Sequence, residues 1–292
     1  MLACLFSRII LADRFGFSRW IFYTPLPVLV PAALVALSIA RGNARWRAGL
    51  AAAVLLLGAV SLRIEQPLLL SGSRARASGP SDFRIMTFNV MAYHGGNSRV
   101  TDAILAEEID ILCLVEGTFG GRAPDVVKKA LGPKYEWALG NRLSMASRFP
   151  IREHGHALYI RDVKMLRAVV EAPGGDIAVY TIDVRTPRSR NDQLAFDEIW
   201  ATLQRETLPC VVMGDFNIPR GSWHLGRAMA GFDDSLNVSG DGRWLATWPN
   251  PLPLWQIDHS FSRGIEPVRA WIPGAIASDH RAVVVDFRLA AP

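Results

Sequence analysis

Seven polar residues are spaced along the chain in a way that suggests one shared chemistry: Asn89, Glu116, Asp215, Asn217, Asp258, Asp279 and His280. Each lies within or beside a short apolar run of strand character. Asn89 ends "FRIMTFN", Glu116 ends "DILCLVE", Asp215 and Asn217 end "CVVMGDFN", Asp258 sits in "WQIDHSF", and Asp279 and His280 stand just before "RAVVVDF". Strand ends that meet at one edge of layered sheets fix side chains while leaving them open to a ligand. Gathered without compensation, the carboxylates of Glu116, Asp215, Asp258 and Asp279 would repel one another and bind protons more tightly. A hard divalent cation relieves this. Mg²⁺ takes oxygen ligands, keeps several waters, and uses one or two carboxylates plus a substrate phosphate. A single imidazole nearby is a poor set for zinc. An imidazole oriented by an acid can also move protons near neutrality. Metal, carboxylates, amides and an oriented histidine together suit hydrolysis of a phosphate ester.

The elements that must position these groups are legible from about residue 83 onward. "FRIMTFNV" (83–90), "DILCLVE" (110–116), "REHGHALYI", "MLRAVVEA", "DIAVYTIDV", "LPCVVMGDF", "WQIDHSFS" and "RAVVVDFRL" read as strands. Segments 98–109, 125–131 and 189–206 have helical spacing. Helices and strands alternate early and strands cluster later, which predicts an α/β body with mixed sheets covered by helices. Cys4, Cys113 and Cys210 each lie in apolar sequence and read as small core residues rather than a disulfide framework or a metal cluster. His259 reads as structural, His154 and His156 as off-site, and Arg148 as a fold-supporting residue.

The front of the chain is different. Trp20–Ala40 runs 21 residues without a charge, enough for a membrane helix, although it holds Pro25, Pro27 and Pro31. Ala48–Leu62 is a second uncharged run, of 15 residues, with Arg47 and Arg63 placed to snorkel, and Met1–Ala12 is a marginal third. Segment 71–82, rich in Ser, Gly and Arg, reads as a linker. This divides the chain into a membrane anchor (1–70), a linker (71–82) and a body (83–292). The formal charge of +5 divides unevenly: residues 1–80 hold nine Arg against two acids (+7), and residues 81–292 hold 23 basic against 25 acidic residues (−2). A nucleic-acid binder usually carries a basic footprint on its binding domain, so this balance speaks weakly against DNA or RNA as the main partner. Three Arg in the 41–47 loop place that loop in the cytoplasm and the body outside it, whereas Arg8, Arg14, Arg19, Arg63, Arg74 and Arg76 favour the reverse if only two segments span. We expect the extracytoplasmic side of an inner membrane.

Six motifs in order, "TFNV", "DILCLVE", "SRFPI", "GDFN", "IDH" and "SDH", resemble the endonuclease/exonuclease/phosphatase superfamily over residues 84–288. The resemblance implies a four-layer α/β sandwich that hydrolyses phosphate esters with Mg²⁺ or Mn²⁺. It implies Glu116 as the main metal ligand, Asn89 close to metal and phosphate, and Asp279 near the metal. Asp215 would position or activate water, Asn217 would bond the scissile phosphate, and His280, oriented by Asp258, would act on a phosphoryl oxygen or transfer a proton. Three positions depart from the pattern. Met91 stands where some members have a second acidic ligand, Val115 replaces a frequent glutamine, and Asp183 occupies the place of a phosphate-contacting histidine. Arg185, two residues on and on the same face of the strand, is placed to neutralise Asp183 or to contact phosphate. The expected activity is hydrolysis of a lipidic or small phosphodiester. The alternatives are a nuclease and a catalytically silent module that keeps the fold. The expected partners are the substrate and, through residues 1–70, a lipid bilayer; no protein partner is evident.

Overall fold

The computed structural model describes residues 2–40, 42–67, 81–117, 125–185, 192–241 and 244–289. The chain opens with four helices, α1 (Leu2–Ile10), α2 (Gly16–Phe22), α3 (Leu26–Ile39) and α4 (Ala44–Glu65). The uncharged run Trp20–Ala40 is not one straight helix. It breaks between α2 and α3 with a bend of 89°, at the place where Pro25 and Pro27 withdraw backbone donors. The shorter run grows instead. With its flanking arginines included, α4 reaches 22 residues, about 33 Å at 1.5 Å per residue, and is long and apolar enough to cross a membrane. Leu5, Leu26, Ala33 and Val54 form the small core that packs these helices together. Arg8 ties their ends. Its guanidinium donates to Glu65 at 2.8 and 2.5 Å and to the carbonyls of Ile21, Phe22 and Thr24, so the C-terminal carbonyls of α2 gain donors.

The body follows as β1 (Phe83–Asn89), α5 (Asn97–Leu105), β2 (Ile111–Val115), α6 (Asp125–Leu131), β3 (Glu136–Leu139), β4 (Leu143–Ser147), β5 (Ile151–Ile160), β6 (Val163–Ala172) and β7 (Gly175–Val184). It closes with α7 (Asp192–Gln204), β8 (Cys210–Asp215), α8 (Trp223–Ala228), β9 (Asp233–Asp234), α9 (Ser235–Ser239), β10 (Asp258–Arg263), β11 (Ile265–Trp271) and β12 (Val283–Leu289). Most of the expected linker lies outside the described residues. Two six-stranded mixed sheets result, ordered β11-β12-β1-β2-β4-β3 and β5-β6-β7-β8-β10-β9.

Period-2 alternation fixes which side of each strand meets what. Ile85, Cys113, Val179, Val211 and Met213 face the core between the sheets. Met86, Phe88 and Leu112 pack outward with Val100 and Ile104 of α5 and Val127 of α6. Cys210 and Val212 pack outward with Phe196, Ile199 and Leu203 of α7. Four layers follow: helix, sheet, sheet, helix. The same parity turns Asn89, Asp183 and Asp215 toward the space between the sheets, at the ends of their strands. Cys113 and Cys210 are free and buried, as expected for core residues.

Asp13 and Gln66 are among the residues that hold the helical front against the body. Asp13 accepts from the Ser222 hydroxyl at 2.6 Å and from the Trp223 amide at 2.8 Å, adding to the cap that Ser222 makes on α8. The Gln66 side chain accepts from the Leu245 amide at 2.7 Å.

One acid outside the site is held well below its ordinary range. Burial favours the neutral form of Glu206, but Arg167, the Tyr180 hydroxyl and the Leu208 amide outweigh it and hold the carboxyl down at about 2. A depressed acid stabilises the fold fully above its ordinary value of 4.5 and loses that contribution as pH falls toward about 2. Thermal unfolding followed between pH 5 and pH 2 is therefore expected to show a smaller acid loss in Glu206→Gln than in the natural protein. Parallel curves would show that this contact set contributes nothing to acid sensitivity.

Candidate active site

The strand ends converge. β7 and β8 run parallel with Asp183 opposite Asp215, and β10 runs antiparallel to β8 with Asp258 opposite the same residue. Three carboxylates thus sit in adjacent registers at one end of the second sheet. The first sheet brings Asn89 across to them, and its side-chain amide donates to Asp215 Oδ2 at 3.0 Å. Asn217 wraps the other side of that carboxylate. Its backbone N–H donates to Asp215 Oδ1 at 2.8 Å, and its side-chain amide donates to Oδ2 at 3.0 Å and to the Val184 carbonyl at 2.8 Å. Asn217 has φ +51°, a left-handed conformation that Asn tolerates better than most residues.

The glycine of "GDFN" has a steric reason. Gly214 has φ +148°, and a Cβ there would lie 2.1 Å from the Ile182 carbonyl oxygen. Only glycine lets β8 approach β7 closely enough to align Asp215 with Asp183.

His280 completes the buried group. Its Nδ1 donates to Asp258 Oδ2 at 2.9 Å, and its Nε2 stands 3.8 Å from Asp215 Oδ2. Ligand atoms of Asp215, Asp258 and His280 all lie within 4.8 Å of one another. Burial opposes a charged imidazole, yet Asp258 and Asp215 outweigh it and push His280 up to about 10. Burial also raises Asp215 well above the ordinary carboxylate range. His280 counteracts the shift, and Asp258 and Asp183 reinforce it. His280 is thus an imidazolium flanked by two acids at neutral pH.

Glu116 follows β2 in the left-handed region, with φ +55°. That conformation costs a non-glycine residue roughly 1–2 kcal/mol and is concentrated at functional sites. Its carboxylate is paired with Arg142 at 2.7 Å. Arg142, in the turn between β3 and β4, was not legible as a site residue in the sequence; its own left-handed φ of +65° is visible only in three dimensions. Arg142, Arg161, Lys164 and Arg185 line a cavity of about 330 Å³ together with the acids Glu116, Asp162 and Asp183 and with Asn217. Burial raises the pKa of Asp183, while Arg142 and then Lys164 pull it down. Arg185, expected to neutralise Asp183 or to contact phosphate, stands exposed at the wall of the same cavity. Asp183 also feels Glu116 and His280, so the end of β2 and the segment before β12 face one basin.

Asp279 is held at the rim. Its oxygens accept from the Ser278 hydroxyl at 3.1 Å and from the Trp248 indole at 3.2 Å. His259 is structural: its Nε2 bonds the Ile218 carbonyl at 2.9 Å and burial pushes it down to about 4. His154 and His156 lie on β5, and His156 Nε2 accepts from the Asn141 amide at 3.3 Å, one residue before Arg142. Arg148 bonds Asp110 and lines a cavity of about 540 Å³ at the opposite ends of the strands.

The donor set suits a hard divalent ion. Glu116, Asp183, Asp215 and the Asn89 amide offer oxygen atoms around one basin, and the burial-raised proton affinities of Asp183 and Asp215 mark negative charge in need of a cation. Among the Asp, Glu, His and Cys side chains of the described residues, Asp215, Asp258 and His280 form a group with ligand atoms close enough to share an ion.

Comparison with known proteins agrees with this architecture. Residues 86–280 match the model of the endonuclease/exonuclease/phosphatase family. The chain therefore belongs to that family, whose enzymes are metal-dependent phosphoesterases and nucleases. Among solved structures, an endonuclease/exonuclease/phosphatase family protein from Leptotrichia buccalis is similar at 16% identity and TM-score 0.57, covering 71% of this chain and 100% of its own. D. rerio TDP2 complexed with a single-strand DNA product is similar at 14% identity and TM-score 0.57, covering 70% and 98%. A mannosyl-6-phosphatase of Bacteroides thetaiotaomicron is similar at 15% identity and TM-score 0.55, covering 70% and 99%. At these identities the likeness concerns the fold. Among curated proteins, no match was found.

Proposed function

We propose that this chain is a membrane-anchored, Mg²⁺- or Mn²⁺-dependent phosphodiesterase acting on a lipidic or small phosphodiester. Residues 1–70 form the anchor, and residues 83–292 carry the chemistry. The observation that carries this reading is the buried relay Asp258–His280–Asp215 beside a cavity whose wall holds four cationic and three acidic side chains.

Roles follow from the charges. Arg142, Arg161, Lys164 and Arg185 attract the substrate's phosphate into the basin, and the Asn217 side chain bonds a phosphoryl oxygen. Asp215 has a raised proton affinity and accepts a proton from the attacking water. That water's oxygen bonds to phosphorus, the bond from phosphorus to the leaving oxygen breaks, and the His280 imidazolium gives the departing oxygen its proton. Asp258 holds the imidazole in place and supports its positive charge. Glu116 is the principal metal ligand, with Asn89 and Asp279 beside it. When bound, the divalent ion polarises the phosphoryl oxygen.

A nuclease is the second reading, and the same four cations favour it because they could track a nucleic-acid backbone. The −2 balance of residues 81–292 and the apolar front favour the first. Full-length protein in detergent, assayed with Mn²⁺ on methyl 4-nitrophenyl phosphate, phospholipids and plasmid DNA, separates them. Hydrolysis of DNA alone, with a steep salt dependence, would establish the nuclease. His280→Ala is expected to lose about 100-fold or more, the scale of removing a general acid–base group; a variant as active as the natural protein would remove His280 from the chemistry, and a natural protein that hydrolyses none of these substrates would favour the silent module. Saturating Mn²⁺ should raise the melting temperature of the natural protein and raise that of Glu116→Gln far less. Equal shifts would remove Glu116 from the ligand set. The body is assigned to the extracytoplasmic side of an inner membrane, so a reporter fused after Pro292 that works only in the cytoplasm should be silent.

A further inference from the structure

A second cavity adjoins the basin, and it has the opposite chemistry. It measures about 260 Å³ and is walled by Tyr23, Pro219, Trp248, Trp255 and Ile257, with Asn217 as the shared wall between it and the cation-lined cavity. Pro219 and Ile257 flank the catalytic loops in sequence. Trp248 and Trp255 pair across an isolated bridge, with ring centroids 5.3 Å apart. Tyr23 comes from the break between α2 and α3, far away in the chain. Its carbonyl accepts the Trp255 indole N–H at 3.1 Å, while the Trp248 indole N–H donates to Asp279. The front of the chain therefore contributes a wall to the active site, and the Asp13 and Gln66 contacts hold it there.

We infer that this cavity receives the start of the hydrocarbon tail of a phosphodiester lipid, whose phosphate lies across Asn217 in the cationic basin. The inference rests on the phosphodiesterase reading above. Three observations carry it. A single residue borders both an apolar cavity and a charged one in which four cations outnumber three acids, which matches a molecule with an anionic and an apolar part. One wall belongs to the segment that joins two apolar helices, next to a helix long enough to span a bilayer. Both indole N–H groups are already engaged. A nucleobase stacking on the tryptophans would bring polar edges that need partners, whereas methylenes need none. At about 260 Å³ the cavity is smaller than the roughly 300 Å³ at which sites for whole small molecules begin. It has room for the first methylenes of a tail.

The test uses the full chain in lipid nanodiscs with Mn²⁺ and a series of alkyl 4-nitrophenyl phosphates from methyl to hexyl, with thymidine 4-nitrophenyl phosphate alongside. Each methylene that enters the cavity should raise kcat/KM by about four-fold, the equivalent of ~0.8 kcal/mol. The series should therefore climb and then level off once the cavity is full. Tyr23→Ser and the cavity-filling Ile257→Phe should bring the hexyl-to-methyl ratio close to one. Partitioning of long esters into the nanodisc acts equally on all forms, so a rise that persists in both variants would overturn the inference. A flat series in the natural protein, or a thymidine ester that outpaces the hexyl ester, would overturn it as well, and either result decides the question even if a variant fails to fold. Hydrolysis of the methyl ester with a flat series defeats the tail cavity alone. If no ester is hydrolysed, the phosphodiesterase reading falls too.

Discussion

Negative charge buried at the edge of two sheets is the constraint that organises this molecule. Asp183, Asp215 and Asp258 occupy neighbouring registers on three adjacent strands, where water cannot screen them fully. Such a placement is tolerable only if positive charge is built in. The protein supplies it in two layers: the imidazolium of His280 inside the cluster, and Arg142 and Lys164 around Asp183 at its mouth. Asn89 and Asn217 direct their amide hydrogens at Asp215, the most confined of the acids. Carboxylates, cations and amides therefore form one electrostatic unit, and the sheets serve to hold it in register.

Much of this was legible in the sequence, for a physical reason. Strand alternation in "FRIMTFN" and "CVVMGD" determines which side chains face the core, so the inward direction of Asn89 and Asp215 could be read from parity alone. Burial of the cysteines and of His259 followed from their apolar surroundings in the same way. What could not be read was anything set by a turn or by contact between distant segments. Arg142 lies in an unremarkable "GNR" turn, and only the packing of β4 against β2 brings it to Glu116. Strand parity pointed to Arg185 as a neutraliser of Asp183 or a phosphate contact, but it could not point to Arg142 and Lys164, which act on Asp183 from another turn and another strand.

The front of the chain shows the same division between composition and geometry. Composition located two apolar runs but misjudged their lengths. Proline chemistry broke the longer run at Tyr23–Pro25, while helix propensity extended the shorter one across arginines and out to Glu65. The break is what places Tyr23 against the tryptophans. A feature that reads in sequence as damage to a helix becomes, in the fold, the hinge between apolar helices and chemistry.

The Asp13 cap has a consequence for how this protein can be handled. The first helical turn after Ser222 satisfies its amides partly with a carboxylate supplied by a segment 209 residues away in the chain. Cutting the chain before β1 would therefore do more than shorten it. It would strip a ligand from a helix terminus, bare the surface where Ile64 meets Gly221, and remove one side of a cavity beside the reacting groups. The helical front is better regarded as a missing wall of any such fragment than as a detachable handle.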